Sequence, residues 1–398
     1  MAKWSIGVAV VVVSLAAASG ARAQFGPDGS GAPPMSEPVP IAPSSLGYPA
    51  PAAPPGGPAC EPLTPPLPDD TINAFSAEVP ACGPSGCYAG VGALALQRVR
   101  RDRRTLAVLD PQNLDTGIPP PANAPVAATF GGGQTFAPGV VATVGYHWQT
   151  CALEFSGFYI PSNTSTNETD NPGRLDSFFF NPPLGFEGDN GLWLQADQIR
   201  TSLRTALGNA ELNAILQSIS CEDLQFIVGA RYIDLQERLQ IFTDDDGLTI
   251  RTVTGQPDPL RQATYQVSTQ DRLIAGQFGL AYNTCICPWL SLDVSGKAGV
   301  GANFADVALV LTRGDGLVGR TGQRENTMVS QVYDTGIFLD WHCWEGMHLR
   351  TGYTAMWLVH VPEATNQVDF NLEHNFGTHS NDNGIFFHGP LIEFECFF

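Results

Sequence analysis

Between Leu207 and Phe242 the chain reads LGNAELNAILQSISCEDLQFIVGARYIDLQERLQIF, and its hydropathy alternates residue by residue. Gly208, Ala210, Leu212, Ala214 and Leu216 are small or apolar. Asn209, Glu211, Asn213 and Gln217 lie between or beside them, and Ile215 is the one exception. After a turn at Ser220 to Asp223, Leu224, Phe226, Val228, Ala230 and Tyr232 alternate with Gln225, Ile227, Gly229 and Arg231. Strand side chains point to opposite faces with period two, so the stretch predicts a long hairpin with one apolar and one polar face. Beyond Tyr232 the phase reverses. Asp234, Gln236, Arg238 and Gln240 take the positions the apolar residues held. That reversal predicts a bulge near Ile233 or a strand emerging into water.

The same alternation recurs along the chain. It marks Tyr88 to Arg98, Gly139 to Trp148, Leu153 to Tyr159 and Gln262 to Tyr282. It continues in Leu290 to Asn303, Ile337 to His342, Leu349 to Val359 and Ile392 to Phe398. Short connections near residues 150, 221, 286 and 345 alternate with long ones near 99–138, 161–202, 243–262, 312–327 and 361–384. This order predicts an all-β fold: a closed antiparallel up-and-down transmembrane β-barrel of about ten strands. The short turns and both termini belong on the periplasmic side, the longer loops outside. About nine to eleven tilted residues suffice to cross a bilayer. Closure removes the edges that lipid could not hydrate. Trp148, Trp289, Trp341 and Trp344 fall at the short-turn ends, where an interfacial aromatic girdle belongs. The competing fold is a soluble β-sandwich, which would bury Leu212, Val294 and Phe394 between two sheets.

The N-terminal stretch reads as an export signal. Lys3 supplies the positive charge, Ile6 to Ala17 the apolar core, and Ala21-Arg22-Ala23 the cleavage site. Residues 1–23 are therefore expected to be removed near Ala23. No apolar run of 18 residues follows, so no transmembrane helix is expected. Residues 24–86 hold more than half of the 32 prolines and read as a disordered Pro/Gly-rich tail or linker. Residues 87–398 form the barrel. The chain carries a formal net charge of −19, which excludes nucleic acid as a partner. Only 15% of residues are charged, as suits a β-protein whose outer face is not in water. The expected partners are outer-membrane lipid and the barrel assembly machinery. The terminal Phe398 reads as the C-terminal insertion signal, and the oligomeric state stays open.

On this reading the lumen carries a charge network of Glu154, Glu211, Arg231, Asp293, Lys297, Asp340, Arg350, Glu393 and Glu395. Charges enclosed in a narrow barrel pair with one another more often than they select ions. Loop 161–202 is a candidate to fold inward and plug the bore. The nine cysteines map to the tail and the periplasmic rim. Cys60 and Cys82 lie in the tail. Cys87, Cys151, Cys221, Cys285, Cys287, Cys343 and Cys396 lie at the rim. Disulfides are expected across the rim, with Cys82–Cys87 a local pair and, nine being odd, at least one thiol left over. The C-x-C of Cys285 and Cys287 lacks partner spacing for a metal site. Asp244-Asp245-Asp246-Gly247 lacks the spaced ligands of a calcium loop. No metal or cofactor is expected. The arginines 98, 100, 101, 103 and 104 read as a solvated loop root, or as contacts to lipid phosphate.

The ordered blocks GNAELNAIL…DLQFIVGARYIDLQERLQI, QDRLIAGQFGL, WLSLDVSGKAGVG and HLRTGYTAMWLVHVPEATNQVDF carry a family likeness. Together they resemble the planctomycete outer-membrane β-barrel porin family, over residues 88 to 398. The resemblance implies an outer-membrane barrel and no active site. Two functions suit it: a porin or passive channel for small solutes, or a structural barrel with an occluded lumen that anchors the tail. A third, an outer-membrane hydrolase using His374, His379 and Asp382, lacks a nucleophile elbow or a metalloprotease helix. The chain is therefore not expected to be an enzyme.

Overall fold

The computed structural model describes residues 85–99, 105–109, 126–130, 135–148, 150–186, 192–218, 223–245, 258–373 and 382–398. Twelve strands form among them: β1 (Gly86–Val99), β2 (Thr105–Leu109), β3 (Val126–Thr129), β4 (Ala137–His147), β5 (Cys151–Ser177) and β6 (Ala196–Gln217), followed by β7 (Leu224–Asp244), β8 (Gln262–Cys287), β9 (Leu290–Arg313), β10 (Val318–Trp344), β11 (Met347–Pro362) and β12 (Asp382–Phe397). Ten of them close an antiparallel ring in the order β1-β4-β5-β6-β7-β8-β9-β10-β11-β12, with β12 returning to β1. The seam runs from Tyr88↔Phe397 to Val99↔Phe386. β2 attaches to the far end of β5, and β3 to β2, outside the ring. The expected export signal and tail, Cys60, Cys82, Cys221, His374 and His379 lie outside the described residues.

The apolar face looks outward. Leu212 is 50% exposed, Val294 40% and Phe394 53%, which rules out a sandwich burying them. Trp148, Trp289, Trp341 and Trp344 are also exposed at the short-turn end. On β7 the outward apolar run is Leu224 to Tyr232. Nine residues rising about 3.3 Å each along a tilted strand span about 25 Å, the height of a lipid-facing barrel band.

The phase reversal after Tyr232 is not a bulge. The β6–β7 and β7–β8 ladders run to Asp244 without a register shift. The strand keeps its geometry and leaves the lipid. Above that level Asp234, Gln236 and Arg238 face out, while Leu235, Leu239 and Ile241 are buried inside. On β8 the change falls between Arg272 and Ile274, both outward.

The strands extend well beyond the span the sequence reading gave them. β5 to β10 run 21 to 27 residues, against 11 to 16 for β1, β4, β11 and β12. The expected loop 161–202 is largely ladder, with Asn163 to Leu175 paired to β6. The expected Gly-rich loop after Arg313 shrinks to a tight turn, in which Gly316 takes φ +90°. Six strands thus rise above the belt as a curved sheet with two edges. Pairing of β5 to β4 stops at Tyr159, and pairing of β10 to β11 starts only at Gln331. Its inner face holds a buried cluster that includes Leu106, Phe130, Phe179, Trp193, Leu239 and Leu309.

All six described cysteines (Cys87, Cys151, Cys285, Cys287, Cys343 and Cys396) sit at the short-turn end as free thiols. The expected rim disulfides, Cys82–Cys87 among them, are corrected on this point. The ladder seats no two described cysteines opposite each other. Cys87 faces Tyr146, Cys151 faces Leu216, Cys285 faces Ser291, Cys287 faces Leu290, and Cys396 faces Ala89 and Met347. A disulfide needs Cα atoms about 4.4–6.8 Å apart with converging Cβ atoms.

Candidate functional site

The interior of the ring is built in layers, because each strand presents every second side chain to it. Glu154, Glu211, Arg231, Asp293, Lys297, Asp340, Arg350, Glu393 and Glu395 all occupy inward positions within the lipid-facing span. They divide into two groups.

The first group centres on Glu211, which is 4% exposed. Arg231 Nη2 donates to it at 2.5 Å, Lys297 Nζ at 2.8 Å and Gln277 Nε2 at 2.9 Å. The amides of Asn209 and Asn213 add bonds at 3.0 and 3.1 Å. Arg231 also reaches Asp334 at 3.3 Å. A buried carboxylate costs several kcal/mol unless it is paired and hydrogen-bonded, and here two cations and three amides meet that condition.

The second group lies nearer the short-turn end. Arg350 pairs with Asp293 at 3.0 Å and Asp340 at 3.8 Å, and its guanidinium stacks 4.3 Å from the Phe338 ring centre. The Tyr88 hydroxyl donates to Glu154 at 2.9 Å. Glu393 and Glu395 are half-buried to buried beside them. Inward glycines make room for these side chains: a Cβ at Gly145 would meet the Tyr88 ring, and one at Gly90 the Glu393 carboxylate. His342 and His348 face each other at the mouth, with Nδ1 and Nε2 3.0 Å apart.

Above the charged layers the bore turns apolar. Leu94, Leu96, Val141, Ile160, Leu207, Ile233, Leu235, Leu273, Val332, Met356, Leu358, Ile385 and Phe387 form one buried cluster, to which every ring strand but β9 contributes. The segment after β11 then turns inward: residues 361–368 are all buried. Glu363 and Glu237 both pair with Arg98, at 2.9 and 2.7 Å, and Glu237 also accepts the Ala364 N–H at 3.1 Å. Arg324 reaches Gln367, and Arg320 donates to the Leu372 carbonyl. The chain from 361 to 372 enters the interior, and Phe179, Phe186, Leu192 and Trp193 of the expected loop 161–202 join it there in one buried cluster, with Phe179 packed on Tyr265 and Phe370.

Sequence reasoning missed the Arg98–Glu237–Glu363 cluster. The sequence reading groups Arg98 with the arginines that follow it, yet Leu94, Leu96 and Arg98 share one inward phase. That phase was the available signal. Among the described residues no group of three metal-ligating side chains converges. Of the hydrolase candidates, only Asp382 is described, and its backbone pairs with Pro362. Phe398, the proposed insertion signal, is 80% exposed, and its N–H bonds the Cys87 carbonyl at 2.8 Å.

Comparison with solved structures finds membrane proteins. The outer membrane protease OmpT from Escherichia coli shares 8% identity over 80% of this chain and 98% of its own, with a TM-score of 0.37. The Pseudomonas putida toluene transporter TodX shares 10% over 79% and 90%, at 0.30. The Ralstonia pickettii toluene transporter TbuX shares 12% over 79% and 90%, at 0.27. No curated protein matches the chain. The family model described as Putative beta barrel porin-7 matches residues 139–386, and the chain belongs to that family of outer-membrane barrels.

Proposed function

We propose that this barrel is closed at rest and acts as a structural element of the outer membrane, anchoring its Pro-rich N-terminal stretch on the periplasmic side. The observation that carries this reading is the apolar cluster across the bore, above a charge network whose three cations, Arg231, Lys297 and Arg350, are all paired with acids. An open pore needs a continuous wetted path, and buried apolar side chains from nine strands interrupt one. No catalytic role is assigned to the interior. Planar-bilayer recording of the refolded full chain tests the reading. A heat-modifiable barrel without conductance steps is expected, and steady discrete steps from the unaltered protein would overturn it.

One observation favours a second reading, that of a gated channel for small solutes. Glu363, Thr365, Asn366 and Gln367 are buried in the inserted segment, where a permanent plug would do as well with apolar residues. A segment held by polar contacts can be released when those contacts are removed. Deleting residues 363–371, or substituting Arg98→Gln, separates the two readings. Conductance that appears only in these variants favours the gate; continued silence in both favours the anchor.

A further inference from the structure

Above the lipid-facing belt, on the outer wall, Arg204 of β6 lies directly opposite Arg238 of β7. Both side chains point outward and are exposed. Like charges directly opposite on neighbouring strands destabilise a sheet. Neither arginine has an ion-pair partner among the described residues, although the chain is strongly acidic overall. Their row continues through Ser268 and Ala308, which bring no carboxylate. The nearest acids are engaged elsewhere. Asp306 is paired to Arg272, and Asp234 is held by the amides of Gln236 and Gln270 at 2.9 and 3.2 Å. A cleft of about 510 Å³ opens on this wall, lined by Arg204, Arg238, Gln236, Ser268 and Gln270, and by two acids with cationic partners of their own, Asp306 with Arg272 and Glu237 with Arg98. Arg204 sits six pairing steps above Ala210↔Tyr232, where the outward apolar run of β7 ends. Along a tilted strand that is about 15 Å at most, and a descending guanidinium shortens it by several ångströms.

We propose that Arg204 and Arg238 together bind the phosphate of an anionic lipid headgroup in the outer leaflet. Guanidinium forks match phosphate oxygens bidentately, and a bound phosphate turns the repulsive pair into a bridged one. Charge complementarity selects this occupant, and guanidiniums that descend along the wall reach the upper edge of the headgroup layer. The proposal rests on the reading that the apolar belt lies in lipid.

The test uses the full chain refolded into vesicles of phosphatidylcholine alone, of phosphatidylcholine doped with phosphatidylglycerol, and of phosphatidylcholine with inorganic phosphate in the medium. Insertion is scored first, by the gel shift of the unheated barrel; failure to insert into any vesicle sinks the membrane reading and this site with it. With insertion in hand, phosphatidylglycerol is expected to raise the melting temperature, and inorganic phosphate is expected not to. Each substitution, Arg204→Gln or Arg238→Gln, is expected to lower the phosphatidylglycerol retained on extraction, read by native mass spectrometry, by about fivefold. The double variant should match or exceed the unaltered chain in neutral vesicles, since the repulsion is gone, and gain nothing from the anionic lipid. The proposal fails if the double variant keeps the full increment, if the anionic lipid gives none, or if free phosphate reproduces it. If the double variant does not fold, the retained lipid on the two single variants decides.

Discussion

Glu211 shows what a single inward residue does in this barrel. It gathers Arg231, Lys297 and Gln277 from three different strands, so one carboxylate ties four strands together. Glu211→Leu would leave Arg231 buried with only Asp334 and is expected to cost about 3–5 kcal/mol, read as a lower melting temperature of the unheated gel band. Gly145→Leu should act through packing, because its side chain would occupy the Tyr88 ring position. A cost of about 1–3 kcal/mol and loss of the Tyr88–Glu154 bond are expected, checked by the same melt. The exposed thiols of Cys87, Cys285 and Cys343 should react with a polar maleimide without prior reduction. Failure of all three to label would restore the rim disulfides. Alternation in the sequence placed all nine lumen charges on inward positions, because period two is set by the strand itself. It could not pair them, because pairing depends on register across strands far apart in the chain.

Among the elements, β5 and β10 differ most from their sequence reading. Asn163 to Asn171 is polar throughout and carries no alternation, so it read as a loop. It forms a strand because β6 offers it a ladder, while among the described residues its other side meets no strand and its alternate side chains are exposed. An edge strand in water needs no apolar side, and the usual signal is absent for that reason. The polar content has a use there, since an exposed apolar edge would recruit other chains. Thr164, Thr166 and Glu168 are exposed along this edge. Replacing all three by Val is expected to convert the detergent-solubilised monomer into higher oligomers, visible by light scattering. An unchanged mass would mean that the edge is already covered.

At the scale of the whole molecule, the barrel changes its solvent partway up. In the belt, apolar residues face out and charges face in; above it, the outer wall is polar and the interior mostly apolar, with the Arg98–Glu237–Glu363 trio buried within it. The reversal at Tyr232–Asp234 was legible in the sequence, and so were the ring and its strand number. The inserted segment 361–372 was not, because a chain that turns inward above the belt has no period to announce it. β8 allows the level of the change to be measured. Phe278 and Gln270 both face outward, eight residues apart. Phe278→Arg is expected to cost about 2–4 kcal/mol in a guanidinium titration of the vesicle-inserted barrel, and Gln270→Arg, whose cross-strand neighbours are Gln236 and Asp306, close to nothing. Equal costs at the two sites would mean that lipid does not end between them.

The buried trio of Arg98, Glu237 and Glu363 joins the first strand, a middle strand and the segment after the eleventh. Its members meet only once the first and last strands have zipped together. Until then the bore is a cleft with a bare guanidinium on one lip, hydrated and permeable. If the barrel is closed at rest as proposed, sealing the wall and stopping the hole are one event, and the membrane is not left with a finished ring that leaks.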